Sequence, residues 1–423
     1  MKTFLRILFF LLLITQICFA QWYQQTSGTV YDLYGVSFTD ANTGTVVGQH
    51  GKILRTTNNG TNWIAQVSGT TNILYGVCFT NANIGTVVGA GGIILRTTDG
   101  GQNWNSQTSG TTNNLFSVSF TDVNIGTVVG DVGTILRTSN GGLNWTAQNS
   151  GTTINLAGVS FINADIGWVA GNGGNIYSGI ILKTSNGGQD WTNQYSGGQN
   201  LYGISFTDAN YGTAVGDNSS ASSTLRTADG GQNWVPQFPG QIGYLFGVSF
   251  TDANIGTAVL SKIILNEGYI LRTTNGGTVW ILQSTPSVPP LRGVCFIDAN
   301  NGTAVGDQGT ILHTTNGGAT FLEEETAPPT EFALEQNYPN QFNPSTTFGY
   351  SIPNESKVII KVYDVLGKEI ETLVNEEKPI GSYELTWSAA NLPSGVYFYQ
   401  LKVYPANSGA GSFVETKKMI LLK

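Results

Sequence analysis

The strongest constraint on this chain is a unit that recurs seven times. One phrase ends on Phe38, Phe79, Phe120, Phe161, Phe206, Phe250 and Phe296, at spacings of 41 to 46 residues. A glycine follows at Gly44, Gly85, Gly126, Gly167, Gly212, Gly256 and Gly302. An aromatic closes each copy, at Trp63, Trp104, Trp145, Trp191, Trp234, Trp280 and Phe321. Each copy reads as four short strands ("LYGVSF", "GTVVG", "ILRTT" and "NWIAQ" in the first), separated by clusters of Gly, Asn, Asp and Ser of hairpin length. A single four-stranded sheet cannot bury both of its faces. Copies must therefore pack face to face, and radial closure leaves only short, protected edges.

The expectation is an all-β chain: a seven-bladed β-propeller followed by a small immunoglobulin-like β-sandwich. The fourth-strand pattern also occurs once ahead of the first copy, as "WYQQTS" at 22–27, while its copy in the last repeat, "TFLEEE", is degenerate and charged. Residues 22–27 are thus expected to complete blade seven, so that the start of the chain fastens its end. Composition agrees with this reading. Only 11% of residues are charged and 55 are glycine, which excludes helical bundles and coiled coils. A net charge of -8 removes the electrostatic basis for binding nucleic acid or an anionic membrane.

Residues 1–20 read as a secretory signal peptide: Lys2 and Arg6, an apolar run from Ile7 to Ile14, then Cys18-Phe19-Ala20 before the expected cut. The run is too short to span a bilayer, so no transmembrane segment is expected after cleavage. Cys78 and Cys295 then remain, each where sister copies carry Ser, and read as free buried thiols. The propeller occupies 21–322, a linker 323–330, and residues 331–423 lose the repeat.

The stretch between third and fourth strands, "TTNNGTNW" at 56–63 and "TTDGGQNW" at 97–104, resembles the Asp-box (bacterial neuraminidase repeat) hairpin. Combined with the "GTVVG" strand, the repeat resembles the photosystem II assembly factor type of propeller. In 331–423, the phrases "LEQNYPNQFNPSTTFGYSIP", "VIIKVYDVLGKEIETLV", "GSYELTW" and "LPSGVYFYQLKV" resemble the C-terminal sorting domain of the type IX secretion system of Bacteroidetes. Gln341 stands where that family usually has a second Pro, and a flagellar-hook-cap module shares the phrase. The resemblance implies a signal read by an outer-membrane translocon, which makes the type IX machinery a partner through 331–423 and places the chain outside the cell or on its surface.

Asp boxes invite a sialidase reading, which needs converging Arg plus Glu, Asp and Tyr. The basic residues instead recur one per copy, at Arg55, Arg96, Arg137, Lys183, Arg226 and Arg272, with His313 seventh, and Glu267 is the one Glu before residue 323. No enzyme is expected. The basic ring has two readings: an anion-binding ring, or pairing with the turn acids Asp40, Asp122, Asp208, Asp252 and Asp298. One Asp per turn is too few for calcium, so these read as turns closed by a positive-φ glycine such as Gly44. With His50 and His313 the only histidines, no metal site or cofactor is expected.

The repeat is least regular between its second-strand end and its basic position. That spacing is seven residues in copies one, two, three and seven, but 12, 10 and 12 in copies four, five and six. Such loops share the face opposite the Asp boxes, so Asn172, Asn175, Tyr177, Asn218, Ser219, Lys262, Asn266, Glu267 and Tyr269 are expected to form one raised binding rim; drift in tolerant loops is the alternative. A ring of aromatics at the first-strand entrance (Tyr34, Tyr75, Phe116, Tyr202, Phe246), broken by Ala157 and Arg292, reads mainly as inter-blade packing. The functional expectation is a monomeric binding or adhesion propeller for a macromolecular ligand, glycan or protein. A scaffold or assembly factor is the alternative, and a glycan-active hydrolase the third reading.

Overall fold

The computed structural model describes residues 22–174, 178–218, 221–237, 239, 243–262, 265–318, 331–405 and 412–422. The expected signal peptide, its Cys18, and the linker 323–330 lie outside them. The chain divides into two compact units, 1–320 and 321–423. The first holds seven four-stranded antiparallel sheets. In blade one the strands run Leu33–Phe38, Gly44–Gly48, Ile53–Thr56 and Ile64–Gln66, in that order from the ring axis outward. Blade seven comprises Leu291–Phe296, Gly302–Gly306 and Ile311–Thr314, and its outer strand is Tyr23–Gln25, with Tyr23 opposite His313. Trp22 meets Phe296 edge-on at 5.7 Å, as Trp63 meets Phe38 at 6.1 Å. It thus fills the place expected of Phe321, which lies outside the described residues.

The core lies between blades. One cluster joins Val129 and Ile135 of blade three to Leu156, Val169 and Leu182 of blade four. The residue before the final Phe of each inner strand sets the next contact. Ser37 Oγ accepts the Phe79 N–H at 3.0 Å, and the pattern repeats at Ser119, Ser160, Ser205 and Ser249. Cys78 and Cys295 take the same role toward Phe120 and Phe38. Both are free, and burial pushes the Cys295 thiol up to about 11.

Two turn readings separate here. The Asp-box glycines do adopt positive φ, Gly60 at 74° and Gly101 at 86°, and Thr56 Oγ1 accepts the Gly60 N–H. Gly44 does not; a Cβ there would lie 2.3 Å from the Phe38 ring, so packing rather than backbone conformation demands glycine. The turn itself is closed by Asp40, whose Oδ1 accepts the Asn42 and Thr43 N–H groups at 2.8 and 2.9 Å.

The second unit pairs a three-stranded sheet (Ala333–Leu334, Ser345–Ile352, Gly381–Ser388) with a five-stranded one, whose order is Gln341–Phe342, Phe413–Leu421, Gly395–Pro405, Ser356–Tyr363, Glu369–Lys378. Alternate residues such as Phe348, Val358, Ile360 and Tyr399 fill the core between them, as an immunoglobulin-like sandwich requires.

Candidate binding face

Strand direction places two sets of connections at opposite ends of each blade. Phe38, Gly44 and Thr56 lie in register, so the Asp boxes stand at that end; Leu33 pairs with Gly48 at the other. In blades one, two, three and seven the second strand ends there in a short 3-10 turn, such as Gln49–Gly51. In blades four, five and six the ladder continues instead, to Gly171 opposite Ile180, Asp217 opposite Ser222, and Lys262 opposite Glu267. The extra residues therefore lengthen strands, and the three long hairpins stand on one face.

Of the expected rim, Asn175, Tyr177 and Ser219 lie outside the described residues. Asn172 ends its strand at the mouth of the axial cavity. Asn218 closes the blade-five hairpin by bonds with Ala221. Asn266 takes φ 55° at the blade-six tip, where Tyr269 donates its hydroxyl to Glu267 at 2.5 Å and Lys262 lies 4.5 Å above the Tyr269 ring.

On the same face opens a cavity of about 450 Å³ along the ring axis. Every inner strand is irregular across the residue that follows its Leu, as at Leu33/Gly35 in blade one and Leu156/Gly158 in blade four. The residue in between is carried over the axis. Tyr34, Tyr75, Phe116, Ala157, Tyr202, Phe246 and Arg292 thus ring the mouth, above a floor of Val and Ile. These rings do pack between neighbouring blades, as expected, and the packed set is at the same time the wall of the cavity. Arg292 is held by Asp307 through two bonds of 2.7 and 2.8 Å and lies over Phe246 at 4.7 Å. Asp32 accepts the Gln49 side-chain amide at 2.7 Å, and Gln49 also reaches the Tyr34 hydroxyl. Burial, reinforced by the Asp217 carboxylate, raises Tyr202 well above the usual phenol range. Sequence reasoning passed over these acids. Their signal was present, however: the position before the inner-strand Leu and the one after the second-strand Gly vary among the copies, from Asp32 to Ile73 to Pro290 and from Gln49 to Ala90 to Asp307, while their neighbours repeat.

The basic ring is elsewhere. Five guanidinium groups each donate to a Thr of their own blade, at 2.7 to 2.8 Å. Each also donates to a backbone carbonyl of the next blade's turn: Arg55 to Ala82, Arg96 to Val123, Arg137 to Ala164, Arg226 to Ala253, Arg272 to Ala299. Each lies over the next blade's Phe, 4.6 to 4.9 Å from its centroid. The pairing is with a neighbour's carbonyl rather than with the turn acid, and it leaves the expected anion ring without a set of exposed donors. Blade four solves the seam differently: Trp168 replaces the Thr and stacks on Phe206 at 3.5 Å, and both its indole N–H and Lys183 donate to the Gly230 carbonyl. Among the described residues no three His, Cys, Asp or Glu converge as a metal site.

Residues 14–109 and 104–196 match the family described as photosynthesis system II assembly factor YCF48, and 336–420 match the secretion system C-terminal sorting domain. No curated protein matches the sequence. Among solved structures the chain is similar to YCF48 bound to a D1 peptide (20% identity, TM-score 0.58, 70% of this chain and 97% of that one). It is similar to PorZ of Porphyromonas gingivalis, described as an essential bacterial surface component of the type-IX secretion system (11%, 0.52, 93% and 60%). It also resembles the GH74 xyloglucanase of Xanthomonas campestris (12%, 0.56, 78% and 59%). At these identities the likenesses establish the fold.

Proposed function

This chain is an Asp-box propeller similar to the photosystem II assembly factor type, joined to a type IX secretion C-terminal sorting domain, and we propose that it works as a binding module once outside the cell. The sorting domain indicates delivery to the cell surface or the extracellular space. The propeller contributes recognition of a macromolecular ligand, glycan or protein, without covalent chemistry. The observation that carries this reading is the coincidence, on one face, of the three lengthened hairpins with the axial cavity. Elsewhere repetition distributes equal side chains evenly around the ring; here neighbouring blades differ, and a surface must differ from place to place to select a ligand.

The test is affinity capture from the native surroundings with the full mature chain, against a Lys262→Ala/Tyr269→Ala variant. Loss of the captured ligand from the variant supports the rim as part of the site; equal capture removes the rim from it. Similarity to YCF48 and PorZ favours a second reading, a scaffold within an envelope complex. A glycan array separates the two, since a scaffold captures protein and leaves the array blank. The likeness to a xyloglucanase is no positive evidence of catalysis, and turnover of xyloglucan or of a sialoside by the full chain is the result that would replace recognition with hydrolysis.

A further inference from the structure

The axial cavity selects its ligand more narrowly than the proposal above requires. Its floor is apolar, a ring of Val side chains with Ile204 in the fifth blade. Its wall is a horseshoe of touching groups: Tyr34 to Tyr75 at 5.6 Å and Tyr75 to Phe116 at 5.3 Å on one arm, Tyr202 to Phe246 at 5.1 Å and Phe246 to Arg292 on the other. Among the described residues the horseshoe is open at Ala157, and Asn172 of the same blade stands at the mouth there. The gap therefore faces the side on which the lengthened hairpins begin.

Among the residues that line the cavity Arg292 alone is charged, and it is already paired, so neither charged ligand class finds a free counter-charge there. An anion would meet Asp32, Asp217 and Asp307 on this face, while Arg292 has already committed two nitrogens to Asp307. A cation would meet Arg292, which occupies the Phe246 face. It would also find the carboxylates engaged: Asp307 by Arg292, Asp32 by Gln49 and by the Gln308 N–H, Asp217 by Tyr202. What remains suited is a neutral molecule with an apolar face for the rings and a hydroxylated edge for the polar groups that line the cavity, the phenols of Tyr34, Tyr75 and Tyr202 with Ser117 and Asn172. The volume lies within the range of small-ligand sites, about 300–1,000 Å³, which suits one or two sugar rings.

We propose that the axial cavity binds the end of a neutral saccharide, entering through the notch at Ala157. This rests on reading the propeller as a binding module and names the class of ligand. The experiment is saturation-transfer NMR on the full mature chain with glucose, galactose, N-acetylglucosamine, cellobiose and chitobiose, alongside choline and N-acetylneuraminic acid as charged probes. At least one neutral probe is expected to receive saturation and the charged ones none. Ala157→Trp, which fills the notch, is expected to weaken that neutral probe at least about tenfold with the thermal midpoint unchanged. Asn172→Ala, at a strand end, is the second variant, with a loss of about threefold. Transfer to a charged probe alone, transfer to no neutral probe, or neutral binding untouched by both variants overturns the proposal. The binding-module reading is judged separately, by whether the native mature chain captures a ligand from its surroundings at all.

Discussion

Where five blades carry Arg and one Lys, blade seven carries His313, and that exchange sets a local weakness. His313 is 2% exposed; its Nδ1 lies 2.8 Å from Thr303 Oγ1, while Nε2 has no partner. It borders a small void with Phe38, Ala41 and Cys295, where five other blades place a guanidinium, and the Tyr23 ring meets it edge-on. Burial lowers its pKa to about 4. The unfolded chain takes up the proton below about pH 6.5 and the folded one resists until about 4. The His313 contribution is therefore whole above pH 6.5, declines as pH falls from 6.5 to 4, and is lost below, a loss of about 2–3 kcal/mol after allowance for screening. Urea unfolding across that range checks it, and His313→Arg is expected to flatten the slope and raise the midpoint by supplying a donor to blade one. Arg96→Met probes an ordinary seam: stranding the Val123 carbonyl and Thr86 is expected to cost about 2–3 kcal/mol by the same measurement.

Among elements, the outer strand Tyr23–Gln25 has the largest consequence, because it joins the two ends of the ring. Trp22 is fully buried against Phe296, Val259 and Leu312, so Trp22→Ala is expected to cost about 3–5 kcal/mol and to expose the blade-seven edge; protease mapping should then cut first in residues 22–32. If the first cuts fall in a middle blade, Trp22 is not the clasp. The repeated phrase made this strand legible, since "WYQQTS" copies a pattern whose place was vacant in the last repeat. The blade-four seam was not legible in the same way. Lys183 reads as a conservative member of the basic series, yet its surroundings changed because Trp168 took the Thr position, 15 residues earlier in sequence and directly opposite in the sheet.

At the scale of the whole molecule, the two compact units divide the work. Deleting 331–423 is expected to keep the chain off the cell surface while leaving the propeller's unfolding midpoint unchanged, which cell fractionation and calorimetry check; arrival of the truncated chain outside the cell would contradict the role of the sorting domain. Seven blades, their strand order and the closing strand all follow from the sequence alone, because each depends on patterns within about 40 residues and on the need to cover a sheet's bare faces. What the arginines grip, why Gly44 is glycine, and which variable positions meet at the axis were settled only in three dimensions. The arginine partner is a backbone carbonyl, which every residue has and no letter marks. Asp32 and the Gln308 N–H lie 276 residues apart and touch only once the ring is closed.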